Sequence, residues 1–155
     1  MGTGYFTQPS LCADRIVFVC EDDLWEVDSS GGQARRLTNS RSEIKTPYLD
    51  PSGKWIACCA KEEGDPDVYL MSADGGPLTR LTWLNSVTRI VGWTPDGSSI
   101  LFHSIHQAVH HRGSDAWLFK VGVDGGPVQR LPFGPAVSLN CLLYTSDAAD
   151  DLGRV

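Results

Sequence analysis

A unit marked by a glycine doublet occurs three times in this sequence. The doublets are Gly31-Gly32, Gly75-Gly76 and Gly125-Gly126; the first two lie 44 residues apart and the next two 50. Ahead of each stands an acidic residue with an aromatic two positions on: Asp23 and Trp25, Asp67 and Tyr69, Asp115 and Trp117. An apolar run precedes that pair in each copy, and Arg-Leu follows each doublet, at Arg36-Leu37, Arg80-Leu81 and Arg130-Leu131. The second and third copies also share a turn, Asp50-Pro51-Ser52-Gly53 and Thr94-Pro95-Asp96-Gly97. The longer third spacing fits one extended loop, His103 to Gly113. A fixed period of this length means stacked units that bury their apolar faces on one another.

Each unit reads as a small antiparallel sheet. Proline fixes φ in the Pro-x-Gly turns while glycine tolerates positive φ, so the chain reverses tightly. The glycine doublet is expected to reverse it again at a second hairpin. Ile16 to Val19 and Trp55 to Cys59 are apolar without alternation, as in strands covered on both faces. The Asp-x-aromatic and Arg-Leu-Thr segments alternate more, as partly exposed outer strands would. With one leading segment per unit (Thr46 to Leu49, Thr88 to Trp93), the count is four strands per repeat. Four strands in about 40–50 residues, with an aromatic at a fixed place, mark a propeller blade. The expected fold is all-β: a partial β-propeller of three four-stranded antiparallel blades, about 9–38, 46–82 and 88–132, with 135–140 starting a fourth. Trp25, Tyr69 and Trp117 are expected to fill the wedge between sheets, and the preceding Asp to bond turn backbone. A β-sandwich is the alternative, but it leaves the repeat unexplained.

Composition narrows the function. A net charge of −6 with scattered Lys and Arg argues against nucleic acid and against an anionic membrane surface. No apolar run approaches the roughly 20 residues of a membrane span. Met1 to Phe6 lacks a basic and then apolar leader, which makes the cytoplasm the expected compartment. Cys12, Cys20, Cys58, Cys59 and Cys141 offer no C-x-x-C pair, so buried reduced thiols are expected, with Cys58 and Cys59 on opposite faces of one strand.

Candidate chemistry is sparse. His103, His106, His110 and His111 cluster in the long loop, without the intervening carboxylate of a metalloprotease helix, and read as solvated. Ser42 and Lys45 match a Ser-x-x-Lys spacing, but that chemistry needs a helix start, and here a strand is expected. Glu21-Asp22-Asp23 and Glu62-Glu63 fall at hairpin tips, where charge is ordinarily hydrated. No catalytic residue, metal or cofactor is expected. The repeat signature is structural: Asp23, Trp25, Gly31, Gly32, Asp67, Tyr69, Gly75, Gly76, Pro95, Asp96, Gly97, Asp115, Trp117, Gly125 and Gly126.

The repeat residues resemble PD40-type blades of TolB-like proteins, prolyl-oligopeptidase relatives and tricorn proteases. The finer similarity is to a tricorn-type N-terminal propeller. It rests on Gly4 to Ser10 (Gly-Tyr-Phe-Thr-Gln-Pro-Ser), Ile16 to Val19, Glu21 to Val27, Val91 to Gly97, and Gly134 to Ser138. The resemblance covers about residues 4–140. It implies a large cytoplasmic serine peptidase that assembles as a homo-oligomer and cuts oligopeptides, with this part gating or routing peptides. The family's catalytic residues lie beyond this chain. A TolB-like binding module of the bacterial envelope, or the propeller lid of a prolyl-oligopeptidase-type hydrolase, are the alternatives. The first would need a secretory signal ahead of Gly4, the second an α/β-hydrolase domain encoded nearby.

Residues 141–155 break the pattern. Cys141 to Asp151 resembles the translation of a transposase-based sequencing adapter read in frame, so this tail is expected to be non-native. Without it the net charge is −4, and Cys141 drops out. Three blades leave open faces and unpaired edges, so the 155-residue chain is expected to self-associate and to show no peptidase activity.

Overall fold

The computed structural model describes residues 5–39, 42–62, 64–106 and 116–139. Twelve strands form three antiparallel sheets, each wound in chain order. The first holds β1 (Phe6–Cys12), β2 (Arg15–Cys20), β3 (Asp23–Asp28) and β4 (Arg35–Arg36). The second holds β5 (Glu43–Leu49), β6 (Trp55–Lys61), β7 (Asp67–Ser72) and β8 (Thr79–Arg80). The third holds β9 (Thr88–Trp93), β10 (Ser99–Ser104), β11 (Trp117–Gly122) and β12 (Gly125–Arg130). Each sheet is one blade. The leading strands β1, β5 and β9 meet in sequence at the inner edge, which makes the molecule a partial β-propeller.

Two cores hold the blades together, one in each gap. Val17, Val19 and Leu24 of the first blade pack on Ile44, Ile56, Cys58, Tyr69 and Met71 of the second. Ala57, Cys59, Val68 and Leu70 of the second pack on Ile90, Phe102, Phe119 and Val121 of the third. Strand alternation explains the division, because successive side chains of β6 point to opposite gaps. Cys58 and Cys59 thus enter different cores.

The turns follow their sequence. Gly53 N–H donates to Asp50 O and Gly97 N–H to Thr94 O, both at 2.9 Å, and both glycines adopt a φ of 70°. The glycine doublets do not make the second hairpin as expected. The turn residues are 29–30, 73–74 and 123–124, and the glycines come directly after them. Gly31 N–H donates to Asp28 O at 2.9 Å and Gly75 N–H to Ser72 O at 3.0 Å, so the first glycine closes the turn and the second leads the chain out.

Three further expectations change. The third strand of the middle blade is not half-exposed: Asp67 to Met71 is buried throughout, because neighbouring blades cover both faces, whereas β3 and β11 keep partly exposed positions as expected. Trp55 is 45% exposed rather than enclosed, since it sits at the blade's end beside the turn. Residues 135–139 form no strand, although Ala136 N–H donates to Ala116 O at 2.9 Å. An inner strand is held by the second strand of its own sheet, and none follows among the described residues. Residue 140 and the tail 141–155 lie outside them.

Candidate functional site

The inner edge is where successive blades meet the propeller axis. Each inner strand carries an irregularity in its pairing, between Thr7 and Ser10, between Lys45 and Tyr48, and opposite Leu101 and Phe102. Gln8 and Thr46 occupy equivalent bulge positions with φ of 54° and 48°, and a proline follows each. A side chain with positive φ costs about 1–2 kcal/mol, so the conformation needs a return elsewhere. That return is a contact with the next blade. Gln8 Oε1 accepts the Thr46 N–H at 2.6 Å, and Thr46 Oγ1 accepts the Ile90 N–H at 3.3 Å. A second rung lies nearby: Leu49 N–H donates to Ser10 Oγ at 3.1 Å, and Trp93 Nε1 donates to Tyr48 O at 3.0 Å. Lys45 and Arg89, at matching positions beside the bulges, are exposed; Lys45 Nζ pairs with Glu43 at 2.5 Å.

The rest of the signature holds the blades' own strands. Asp67 is 1% exposed and takes Arg80 Nη2 at 2.5 Å, Thr82 Oγ1 at 2.7 Å and the Leu84 N–H at 2.9 Å. Asp23 repeats this with Arg36 and with Thr38 Oγ1 at 2.7 Å. The acid thus binds chiefly the Arg and Thr that follow the doublet, not the turn backbone. Asp23 is not a solvated hairpin-tip residue either. The tip is Glu21 and Asp22, and Asp23 begins β3 at 4% exposure. Arg-Leu-Thr was visible as a repeated string, and its link to the Asp thirteen and fifteen positions earlier is the signal that could have revealed this network.

The aromatics lie in one register with unequal surroundings. Tyr69 is buried in the first gap, where burial and Glu62 push its phenol up. Trp117 packs against the second core with the Arg130 guanidinium 3.4 Å above its ring. Trp25 is half-buried, opposite Phe18 on the face of blade one turned away from blade two, with Nε1 donating to Cys20 O at 3.3 Å. Pro95, Asp96 and Gly97 form the turn of the third blade, where Asp96 accepts the Ser98 N–H at 3.1 Å. The hydrogen bonds of Thr94 and Ser98 hold its carboxyl down at about 2. Asp115 lies outside the described residues.

The chemical candidates do not converge. Lys45 sits on a strand beside Glu43, not one helical turn after Ser42. His103 is half-buried in β10, where burial and Arg89 push its imidazole down, and His106 lies edge-on to Phe119. His110, His111 and Glu63 fall outside the described residues. Among the described residues, no three His, Cys, Asp or Glu side chains gather to hold a metal ion. Among the same residues, no helix is long and apolar enough to cross a membrane. Burial pushes the Cys59 thiol up to about 11 and raises Cys58 further, so neither is a nucleophile at neutral pH. An open cleft of about 580 Å³ on blade one has its charged lining paired: Arg15 and Arg35 each meet Glu26 at 2.6 Å.

Known proteins share this arrangement. Residues 3–148 match the model of the tricorn protease N-terminal β-propeller domain, a span that runs past Asn140 into the tail. Two tricorn protease homologs of Streptomyces coelicolor are 37% and 33% identical over 144 and 132 residues, covering 87% and 84% of this chain. The chain spans 12% of the length of each. The crystal structure of the tricorn protease superposes with a TM-score of 0.78 at 26% identity, over 90% of this chain and 14% of that one. A TolB structure from Agrobacterium tumefaciens shares the fold, with a TM-score of 0.71 at 21% identity, over 86% of this chain and 48% of that one.

Proposed function

The chain belongs to the tricorn protease N-terminal β-propeller family, and from that premise we propose that it forms part of a wall guiding peptides to or from a serine peptidase centre carried elsewhere in a longer protein. The observation behind this reading is the inner edge. Three inner strands stand side by side around one axis, joined blade to blade by side chains, as the wall of an axial passage requires. The propeller supplies passage, not bond cleavage. The family resemblance supports a cytoplasmic setting and a homo-oligomeric parent, which fractionation and sedimentation would check.

A chimera tests the routing. Residues 5–139 replace the matching stretch of the Streptomyces coelicolor tricorn protease homolog 1, and bulky side chains are placed on the wall by Lys45→Trp with Arg89→Trp. Turnover of peptides longer than ten residues is expected to fall severalfold, while a short chromogenic substrate small enough to pass is cleaved as before. Equal turnover of long peptides with and without the bulky pair would overturn the routing reading.

A further inference from the structure

An inner strand facing a passage is a hazard if peptides travel through it. Its free edge offers N–H groups that an extended peptide could pair with, and strand addition to such an edge is a common binding mode. The inner edge of β5 leaves no such donor free at positions 44, 46, 47 and 49. Ile44 N–H donates to Asp22 O at 3.1 Å, and Thr46 N–H to Gln8 Oε1 at 2.6 Å. Position 47 is proline and has no N–H. Leu49 N–H donates to Ser10 Oγ at 3.1 Å. All three acceptors belong to blade one. The device recurs at the next inner strand, where Thr46 Oγ1 takes the Ile90 N–H.

We propose that Gln8, Ser10 and Thr46 guard the inner edge, occupying the backbone donors of the following blade so that a passing peptide slides along the wall instead of adding to it as a strand. Two facts make this more than ordinary packing. Gln8 and Thr46 are non-glycine residues at positive φ, a conformation that turns each bulge side chain out of its own sheet toward the next. The prolines behind them remove the donor the bulge would otherwise present. The ligand being excluded is any extended peptide, recognised through its carbonyl groups and not through its side chains. This inference rests on the routing reading for its purpose, while its geometry stands alone.

Hydrogen exchange and peptide binding on the full chain test it. In Gln8→Ala the Thr46 amide is expected to exchange about fivefold to tenfold faster, the loss of one hydrogen bond. A fluorescein-labelled (Thr-Val)5 peptide, followed by anisotropy, is expected to bind the variant several times more tightly than the parent. Gln8→Glu, which keeps an acceptor oxygen, is expected to restore both readouts. Thr46→Val is a second, nearly isosteric probe that moves the same effects to the Ile90 amide, so misfolding of one variant does not spare the idea. Unchanged exchange in both variants would overturn the geometry. Faster exchange without tighter peptide binding would overturn the guarding role and leave routing intact. If the bulky pair in the chimera fails to slow long peptides, routing falls, while the exchange and anisotropy results still decide the guard.

Discussion

Replacing Asp67 by Ala removes the acceptor that ties the outer part of the middle blade together. Asp67 is 1% exposed, and Thr82, whose hydroxyl lies 2.7 Å away, is equally buried. That hydroxyl also accepts the Val68 N–H at 3.0 Å, and its own proton goes to the Asp67 carboxylate, an acceptor the substitution removes. The Thr82 hydroxyl proton and the Leu84 N–H would each lose their acceptor, at about 1–3 kcal/mol apiece. Arg80 is 29% exposed along its side chain and regains water, so its share is smaller. The expected loss is about 3–5 kcal/mol, the range for breaking one side of a buried pair. Urea unfolding followed by tryptophan fluorescence measures it, with Thr82→Val and the double variant completing a cycle. Once Asp67 is absent, Thr82→Val should cost less than it does in the parent, because the bond to the carboxylate is already gone and only the Val68 N–H is newly stranded. A loss below about 1 kcal/mol for Asp67→Ala, or full additivity in the cycle, would refute the argument that these groups form one buried network.

Two further outcomes follow from the same reasoning. Burial alone would raise the Asp50 carboxyl, but Ser52 Oγ at 2.5 Å and the N–H groups of Ser52, Lys54 and Trp55 outweigh it and hold it below the usual range. A lowered folded value means the stabilisation is complete above the unfolded carboxylate pKa, about 4, and is lost as pH falls through the folded value. Asp50→Asn should therefore flatten the acid side of a melting-temperature profile between pH 5 and 2; an unchanged slope counts against it. Phe102 is fully buried in the second core and stacks on Phe119 at 5.7 Å between centroids, so Phe102→Ala should cost about 3–5 kcal/mol in the same urea assay.

Much of the fold was legible because a repeat states its own period. The doublets, the Pro-x-Gly turns and the apolar runs of β2, β6 and β10 located three blades and the order of their strands. Burial was harder to read. Asp67 to Met71 looked like an outer strand because Asp and Tyr interrupt the apolar pattern. Its environment depends on the blades stacked on either side and on a polar network closed by Arg80 and Thr82. The inner edge left even less trace. Gln8 and Thr46 share neither residue type nor a repeated string, and only their common proline at the next position marks them as equivalent.

The sequence by itself determined the all-β class, the blade count among these residues and the tricorn-type resemblance, because turn chemistry and strand alternation are local and recur at a fixed spacing. The tertiary structure decided which faces become gaps, which acid is buried, and that Gln8 and Thr46 reach across to the next blade. Those outcomes depend on groups 38 and 44 positions apart meeting at one axis. Local pattern cannot encode that meeting, since the partner of each side chain there is a backbone N–H, which every residue except proline carries.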